Sequence, residues 1–192
     1  MRDLTVRPDR REDHDAIAVV QRMAFDEEGP RHHPVRGDRV AALVDDLRLL
    51  VTPDQGCSLV AEAAEGGVVG HIMLTPAVLD APPRLVTVLV LGPLGVIPSA
   101  QGRGVGTALI REALRRADEQ QCPVVFLEGD PAYYARAGFV EAGALGFRKP
   151  SLRIPDRAFQ CVLLAAHEPW MTGTLVYPEA FWRHDAVGLR DP

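Results

Sequence analysis

The sequence predicts a mixed α/β domain around one central sheet. Three observations carry this. Short apolar stretches of strand length recur along the chain, separated by glycine, proline and charged residues. Three longer stretches place apolar residues at helical spacing instead. The turn Gln101-Gly102-Arg103-Gly104-Val105-Gly106 then joins an extended apolar run to a helical one. Interleaved strands and helices of this kind form a sheet flanked by helices.

The elements follow in order. Leu4-Thr5-Val6-Arg7 alternates and reads as a first strand. A helix is expected over residues 15–25, with Ile17, Val20, Gln21 and Ala24 on one face and Asp13 or Asp15 as its cap. Residues 26–34 break regularity with glycine and two prolines. A second helix over 38–50 turns Val40, Leu43, Val44, Leu47 and Leu50 to the core. Strands 58–63 and 68–74 form a hairpin across Glu65-Gly66-Gly67, and 76–83 reads as a loop. A long strand covers 86–96. The helix 107–119 aligns Ala108, Leu109, Ala113, Leu114 and Ala117, and Val124-Val125-Phe126-Leu127 is the next strand. Segments 151–155 and 158–164 suggest further strands. The segment 166–192 carries Trp170, Tyr177, Phe181 and Trp182, too apolar for a disordered tail. It is expected to pack on the domain 1–165 or on a second copy of the chain, as in a homodimer.

Composition narrows the function classes. The 192 residues are 47% hydrophobic, enough for a sizeable core. The net charge of −5, with no basic block or basic–aromatic stripe, argues against nucleic acid as a partner. Cys57, Cys122 and Cys161 are far apart and odd in number, which suits reduced cysteines in the cytoplasm. Zinc spacing is absent, and the adjacent pair His32-His33 is a weak metal signal, so no metal is expected. Neither a signal peptide nor a membrane-spanning apolar run is visible.

The turn 101–106 bears on ligand chemistry. Glycines at a helix start leave backbone N–H groups unpaired, beside the positive end of the helix dipole. That is a site for phosphate oxygens. A P-loop requires Gly-Lys-Ser/Thr, and no lysine is near. A dinucleotide fingerprint requires a third glycine where Thr107 stands, and repeated βα units, which are not seen. The remaining pattern is Gln/Arg-x-x-Gly-x-Gly/Ala, matched by Gln101, Gly104 and Gly106. Further on, Tyr134-Ala135-Arg136-Ala137-Gly138-Phe139 supplies a Tyr-x-x-x-Gly-Phe spacing. Together, in this order and separation, the two motifs resemble the GNAT superfamily of acetyl-coenzyme-A-dependent N-acetyltransferases. The motif-bearing resemblance covers residues 86–147.

The resemblance implies a central, mostly antiparallel sheet with splayed strands and flanking helices. It also implies acetyl transfer from acetyl-coenzyme A to an amine of a small molecule or protein, by direct attack in a ternary complex. Residues Gln101, Gly102, Arg103, Gly104, Val105, Gly106 and Thr107 would hold the pyrophosphate. Leu94, Gly95 and Val96 would be the bulged strand segment that pairs with the pantetheine arm, with Gly95 or Val96 offering an N–H to the oxyanion. Tyr134 would protonate or stabilise the leaving thiolate, whereas Tyr133 is expected to be structural. For the base, Glu128, His71 and Glu62 are candidates beside a water relay, with Glu128 nearest the expected cleft. Asp26, Glu27 and Glu28 either wall the acceptor site, suiting a cationic amine, or form a solvated acidic loop. Cys122 lacks a histidine partner in sequence and is a poor nucleophile. Two rivals remain: a non-catalytic acyl-coenzyme-A-binding sensor, and an oxidoreductase binding NAD at Gly102-x-Gly104.

Overall fold

The computed structural model describes residues 4–25 and 36–189. Their strands are β1 (Leu4–Pro8), β2 (Cys57–Ala63), β3 (Val68–Asp80), β4 (Leu85–Val96), β5 (Val124–Glu128), β6 (Val140–Glu141), β7 (Phe159–Leu163) and β8 (Thr174–Val176). The α-helices are α1 (His14–Ala24), α2 (Gly37–Arg48), α3 (Val105–Glu119), α4 (Pro131–Tyr134) and α5 (Glu179–Arg183). The sheet runs β1-β2-β3-β4-β5-β7-β6, and β8 pairs with β3 off that path. Every pairing is antiparallel except β4 with β5.

That parallel pair positions the site. Its register covers Leu89↔Val125 and Val90↔Phe126, after which the strands separate. From Leu91 onward the β5-facing edge of β4 has no strand partner, so its backbone groups are open to a ligand. Against β3, Ile72 pairs with Leu94 and Leu74 with Leu91, so Gly92 and Pro93 together oppose Met73. The bulge therefore lies at Gly92-Pro93, upstream of the expected segment 94–96.

The alternating pattern sorts the core into two layers. Leu59, Ala61, Ile72, Leu74, Leu89 and Leu91 face α3, where Leu109, Ile110 and Ala113 meet them. Val60, Met73, Val88 and Val90 face the other way, against Ile17, Leu43 and Leu47. Met171, Leu175, Tyr177, Phe181 and Val187 from the C-terminal segment join this second layer.

Three expectations need correction. The loop at 76–83 is mostly strand, since β3 continues to Asp80. Pro76 is tolerated because it lies between the end of β2 pairing at Leu74 and the start of β8 pairing at Val78, where one edge lacks a neighbour. Residues 151–155 form a turn, with Ile154 N–H donating to the Ser151 carbonyl and prolines at both ends. Helix α3 starts at Val105, two residues before Thr107.

His71 is fully buried on β3, with Gln21 Nε2 at 2.7 Å from Nδ1 and Ser58 Oγ at 3.0 Å from Nε2. Ser58 donates in turn to Asp9 at 2.8 Å. Burial first, then the charges of Arg48 and His14, push the His71 imidazole down to about 3. It is thus neutral in the folded chain, whereas the unfolded chain protonates it near its ordinary value. Its contribution to stability is present above about pH 6.5 and is lost as pH falls toward about 3. Urea titrations should show His71→Asn removing roughly 2 kcal/mol of the stability difference between pH 7 and pH 5. An unchanged slope would mean His71 is not held neutral.

Candidate active site

Where β4 and β5 part, a cavity of about 810 Å³ opens along the sheet. One end is the glycine turn. Gly104 takes φ 82°, a left-handed conformation that suits glycine, and directs the chain into α3. Ala108 N–H is the first to bond back, to the Gly104 carbonyl at 3.0 Å. The N–H groups of Gly104, Val105, Gly106 and Thr107 therefore have no partner within the helix. Gln101 braces the turn by donating from Nε2 to the Val96 carbonyl at 2.9 Å. With the helix dipole added, this end has the geometry and polarity that suit an anion.

Gln101, Gly102, Gly104, Val105, Gly106 and Thr107 all line the cavity, as do Leu94 and Val96. Gly95 and Arg103 do not. A Cβ on Gly95 would lie 2.7 Å from Gln21 Oε1, so that face of the strand packs under α1. Neighbouring strand residues point to opposite faces, which is why Leu94 and Val96 reach the cavity. Arg103 is exposed.

Helix α4 forms the facing wall. Asp130 caps it by accepting from Ala132 N–H at 2.9 Å. Tyr134 lines the cavity, its ring so close to Gly129 that a Cβ there would sit 2.3 Å from Cε2. The ring also meets Tyr133 and Phe139 edge-on, at 4.9 and 5.8 Å between centroids. Burial pushes the Tyr134 phenol up, and Tyr133 and Asp130 add to the effect. A neutral phenol is a hydrogen-bond donor throughout the neutral range. Tyr133 reaches over the start of α3, where a Cβ on Gly106 would meet its Oη at 2.1 Å. Arg136 also lines the cavity, with its guanidinium 5.6 Å from the Tyr133 ring centroid. Sequence reasoning missed Arg136, although it lies inside the Tyr134…Gly138 motif.

Glu128, at the end of β5, also lines the cavity. Its Oε2 accepts from Gly188 N–H at 2.8 Å, while its buried Oε1 has no hydrogen-bond partner. Burial pushes the carboxyl up; Gly188 N–H, the Tyr177 hydroxyl and the Arg153 charge pull the other way. The remaining base candidates are elsewhere. His71 is locked in the sheet core as described. Glu62 accepts from Arg7 Nε at 2.7 Å, in an ion-pair cluster that includes Asp13, outside the cavity. Asp26, Glu27, Glu28, His32 and His33 lie outside the described residues.

The three cysteines are buried, and burial pushes each thiol up to about 12. Cys122 also donates to the Val124 carbonyl at 3.2 Å. A thiol held neutral is a weak nucleophile. Tyr177, Phe181 and Gly188, all from the C-terminal segment, also line the cavity, a placement that the aromatic character of that segment does not reveal. Among the described residues no helix is long and apolar enough to cross a membrane.

A splayed strand pair beside a glycine-opened helix start is the arrangement that the resemblance to acyl-coenzyme-A transferases implies. Comparison with known proteins then gives the family. The Acetyltransferase (GNAT) family model matches residues 17–147, and the chain belongs to this family of acetyltransferases. The uncharacterized N-acetyltransferase YjhQ of Escherichia coli K12 is 36% identical over 128 residues, which is 66% of this chain and 67% of that protein. The structure of the E. coli GNAT family N-acetyltransferase YhbS in complex with CoA superposes with a TM-score of 0.80 at 29% identity, over 98% of this chain and 96% of that one. A GNAT family acetyltransferase from Brucella melitensis in complex with acetyl-CoA gives 0.70 at 29% identity, over 94% and 99%.

Proposed function

We propose that this acetyltransferase moves an acetyl group from acetyl-coenzyme A to a primary amine by direct attack within a ternary complex. One observation carries the reading: a single cavity joins the anion site at α3 to Tyr134 and to the unpartnered Glu128 Oε1. The coenzyme A and acetyl-coenzyme A in the two similar structures support the identity of the donor. The N–H groups at 104–107 fit a pyrophosphate, and the open β4 edge fits an amide-bearing arm.

Acetyl-coenzyme A supplies an activated carbonyl carbon. The neutral amine nitrogen bonds to the carbonyl carbon, Glu128, as carboxylate, takes the proton that this nitrogen then loses, through Oε1 or a water beside it, and the carbon–sulfur bond breaks. Developing charge on the carbonyl oxygen meets a backbone N–H of the open β4 edge between Leu91 and Val96, where Pro93 has none to offer. Tyr134 donates its phenolic proton to the leaving sulfur, and solvent resets both groups. Holding amine and thioester in one cavity contributes further through orientation. The segment 166–192 belongs to this site in our reading, as the wall that holds Glu128.

Thiol release from acetyl-coenzyme A with a panel of amines tests the reading. Turnover with intersecting initial-rate lines supports it. Tight binding without release for any amine would instead make the chain an acyl-coenzyme-A-binding module, and preference for NAD would revive the oxidoreductase. Tyr134→Phe should lower kcat by roughly 100-fold with donor affinity unchanged; an unchanged kcat would remove Tyr134 from the mechanism. Cys122→Ser should leave kcat within about twofold, since no acyl-cysteine forms. Parallel lines with loss of activity in that variant would contradict direct attack.

A further inference from the structure

The turn that reaches Glu128 from the C-terminal segment is pressed against a second turn. Gly188 takes φ 61°, a left-handed conformation that suits glycine. A Cβ there would stand 2.6 Å from the Arg153 carbonyl carbon and 2.7 Å from its oxygen, so the two backbones touch with no room for a side chain. Leu189 N–H donates to the Arg153 carbonyl at 3.1 Å and closes the contact. Ile154 and Val187, both fully buried in one core layer, pin the two segments where they cross. The result is one aimed donor. Gly188 N–H meets Glu128 Oε2 at 2.8 Å, whereas the buried Oε1 has no partner among the described residues.

From this geometry, and resting on the reading of Glu128 as the base in acetyl transfer, we infer that Gly188 is a positioning residue of the reaction: its N–H holds Oε2 so that Oε1 is the atom that takes the proton from the amine nitrogen. A carboxylate that only fastened the C-terminal segment would have both oxygens bonded, since an unpaired buried acceptor costs roughly 1–3 kcal/mol. Here one oxygen is bonded and the other is left over, on a residue that lines the cavity. A donor on a pinned backbone does not rotate away, so the carboxylate keeps one orientation through each turnover. An N–H bonded to a carboxylate also favours its charged form, which is the form a base needs. Two further groups act on Glu128 in the same direction, the Tyr177 hydroxyl and the Arg153 charge. Asp130, Tyr134 and Arg136 line the same cavity.

The test uses two variants of the full chain. Gly188→Ala pushes the turn off Arg153. A main-chain ester at 188, with glycolic acid replacing the glycine, removes the N–H and adds no atom that needs space. Carbon-13 NMR of labelled glutamate carboxyls follows the Glu128 titration, assigned by its absence in Glu128→Gln. Thiol release from acetyl-coenzyme A with butylamine, lysine, spermidine and glucosamine 6-phosphate gives kcat and KM. In both variants the Glu128 midpoint should move to higher pH, together with the acid limb of kcat/KM. At pH 7 kcat should fall by roughly tenfold, with KM for acetyl-coenzyme A within about twofold. In a Glu128→Gln background the ester should change kcat by less than about twofold, because no carboxylate remains to be held. If Gly188→Ala does not fold, the ester alone decides. An unchanged midpoint or an unchanged kcat in the ester variant would overturn the proposal. So would an equal loss in the Glu128→Gln background, and acetyl transfer would stand in each case. Tight acetyl-coenzyme A binding by the wild type, without release for any amine, would overturn the acetyl-transfer reading and the proposal with it.

Discussion

Gly104→Asp should raise the dissociation constant for acetyl-coenzyme A by at least about 100-fold, an effect of roughly 3 kcal/mol. Two causes add. Residue 104 sits at φ 82°, where any side chain is less comfortable than glycine. More importantly, a carboxylate would stand at the positive end of α3, where the N–H groups of Gly104–Thr107 are proposed to receive a pyrophosphate. Gly104→Asn separates the causes, because asparagine tolerates the left-handed region and carries no charge. Calorimetry should therefore show a weaker loss for asparagine than for aspartate. Wild-type affinity in Gly104→Asp would mean the donor phosphates bind elsewhere.

Glu128→Gln is expected to lower kcat/KM by roughly 100-fold and to change its pH dependence. The Glu128 carboxyl is raised by burial, so the basic form accumulates only above the ordinary carboxylate range. The wild-type profile should thus rise through that raised value on its acid side, and the variant should lack this limb. Stability moves in the opposite sense. The folded chain holds this proton more tightly than the unfolded chain, so stability is greatest below the unfolded value. It is lost as pH rises through the folded value. The variant should therefore melt at a higher temperature than wild type near neutral pH, and the gap should close in acid. An unchanged acid limb would move the base to a water held by other groups.

How far the sequence carries the account depends on whether a signal is local. The turn at 101–106, helix α3 and the Tyr134…Gly138 spacing are legible because each is a chain-local pattern with a fixed geometric consequence. The assignment of Gly95 shows where such patterns stop. A strand segment can be recognised without knowing which residues turn to which side, and β4 turns Leu94 and Val96 to the cavity and Gly95 toward Gln21. The bulge at Gly92-Pro93 is likewise a matter of register with β3, invisible until both strands are paired. Proline at position 76 reads as a loop signal, yet the strand passes through it because the local sheet edge is uncovered.

Glu128 depends on long-range contact most of all. Its position at the end of β5 is readable, whereas its chemistry comes from residues about 50 to 60 positions away: Gly188, which fixes one oxygen, and Tyr177, which faces it. The aromatic character of segment 166–192 signals packing, but not that residues of this segment line the cavity.

A crystal structure with acetyl-coenzyme A bound would show whether the donor, Tyr134 and Glu128 meet in this cavity. Pyrophosphate oxygens should lie within hydrogen-bond reach, about 3 Å, of N–H groups at 104–107. The pantetheine arm should follow β4 from Leu91 to Val96, with the sulfur beside Tyr134 and the acetyl group facing Glu128. A donor lying outside the β4–β5 opening, or a thioester remote from both Tyr134 and Glu128, would contradict this arrangement.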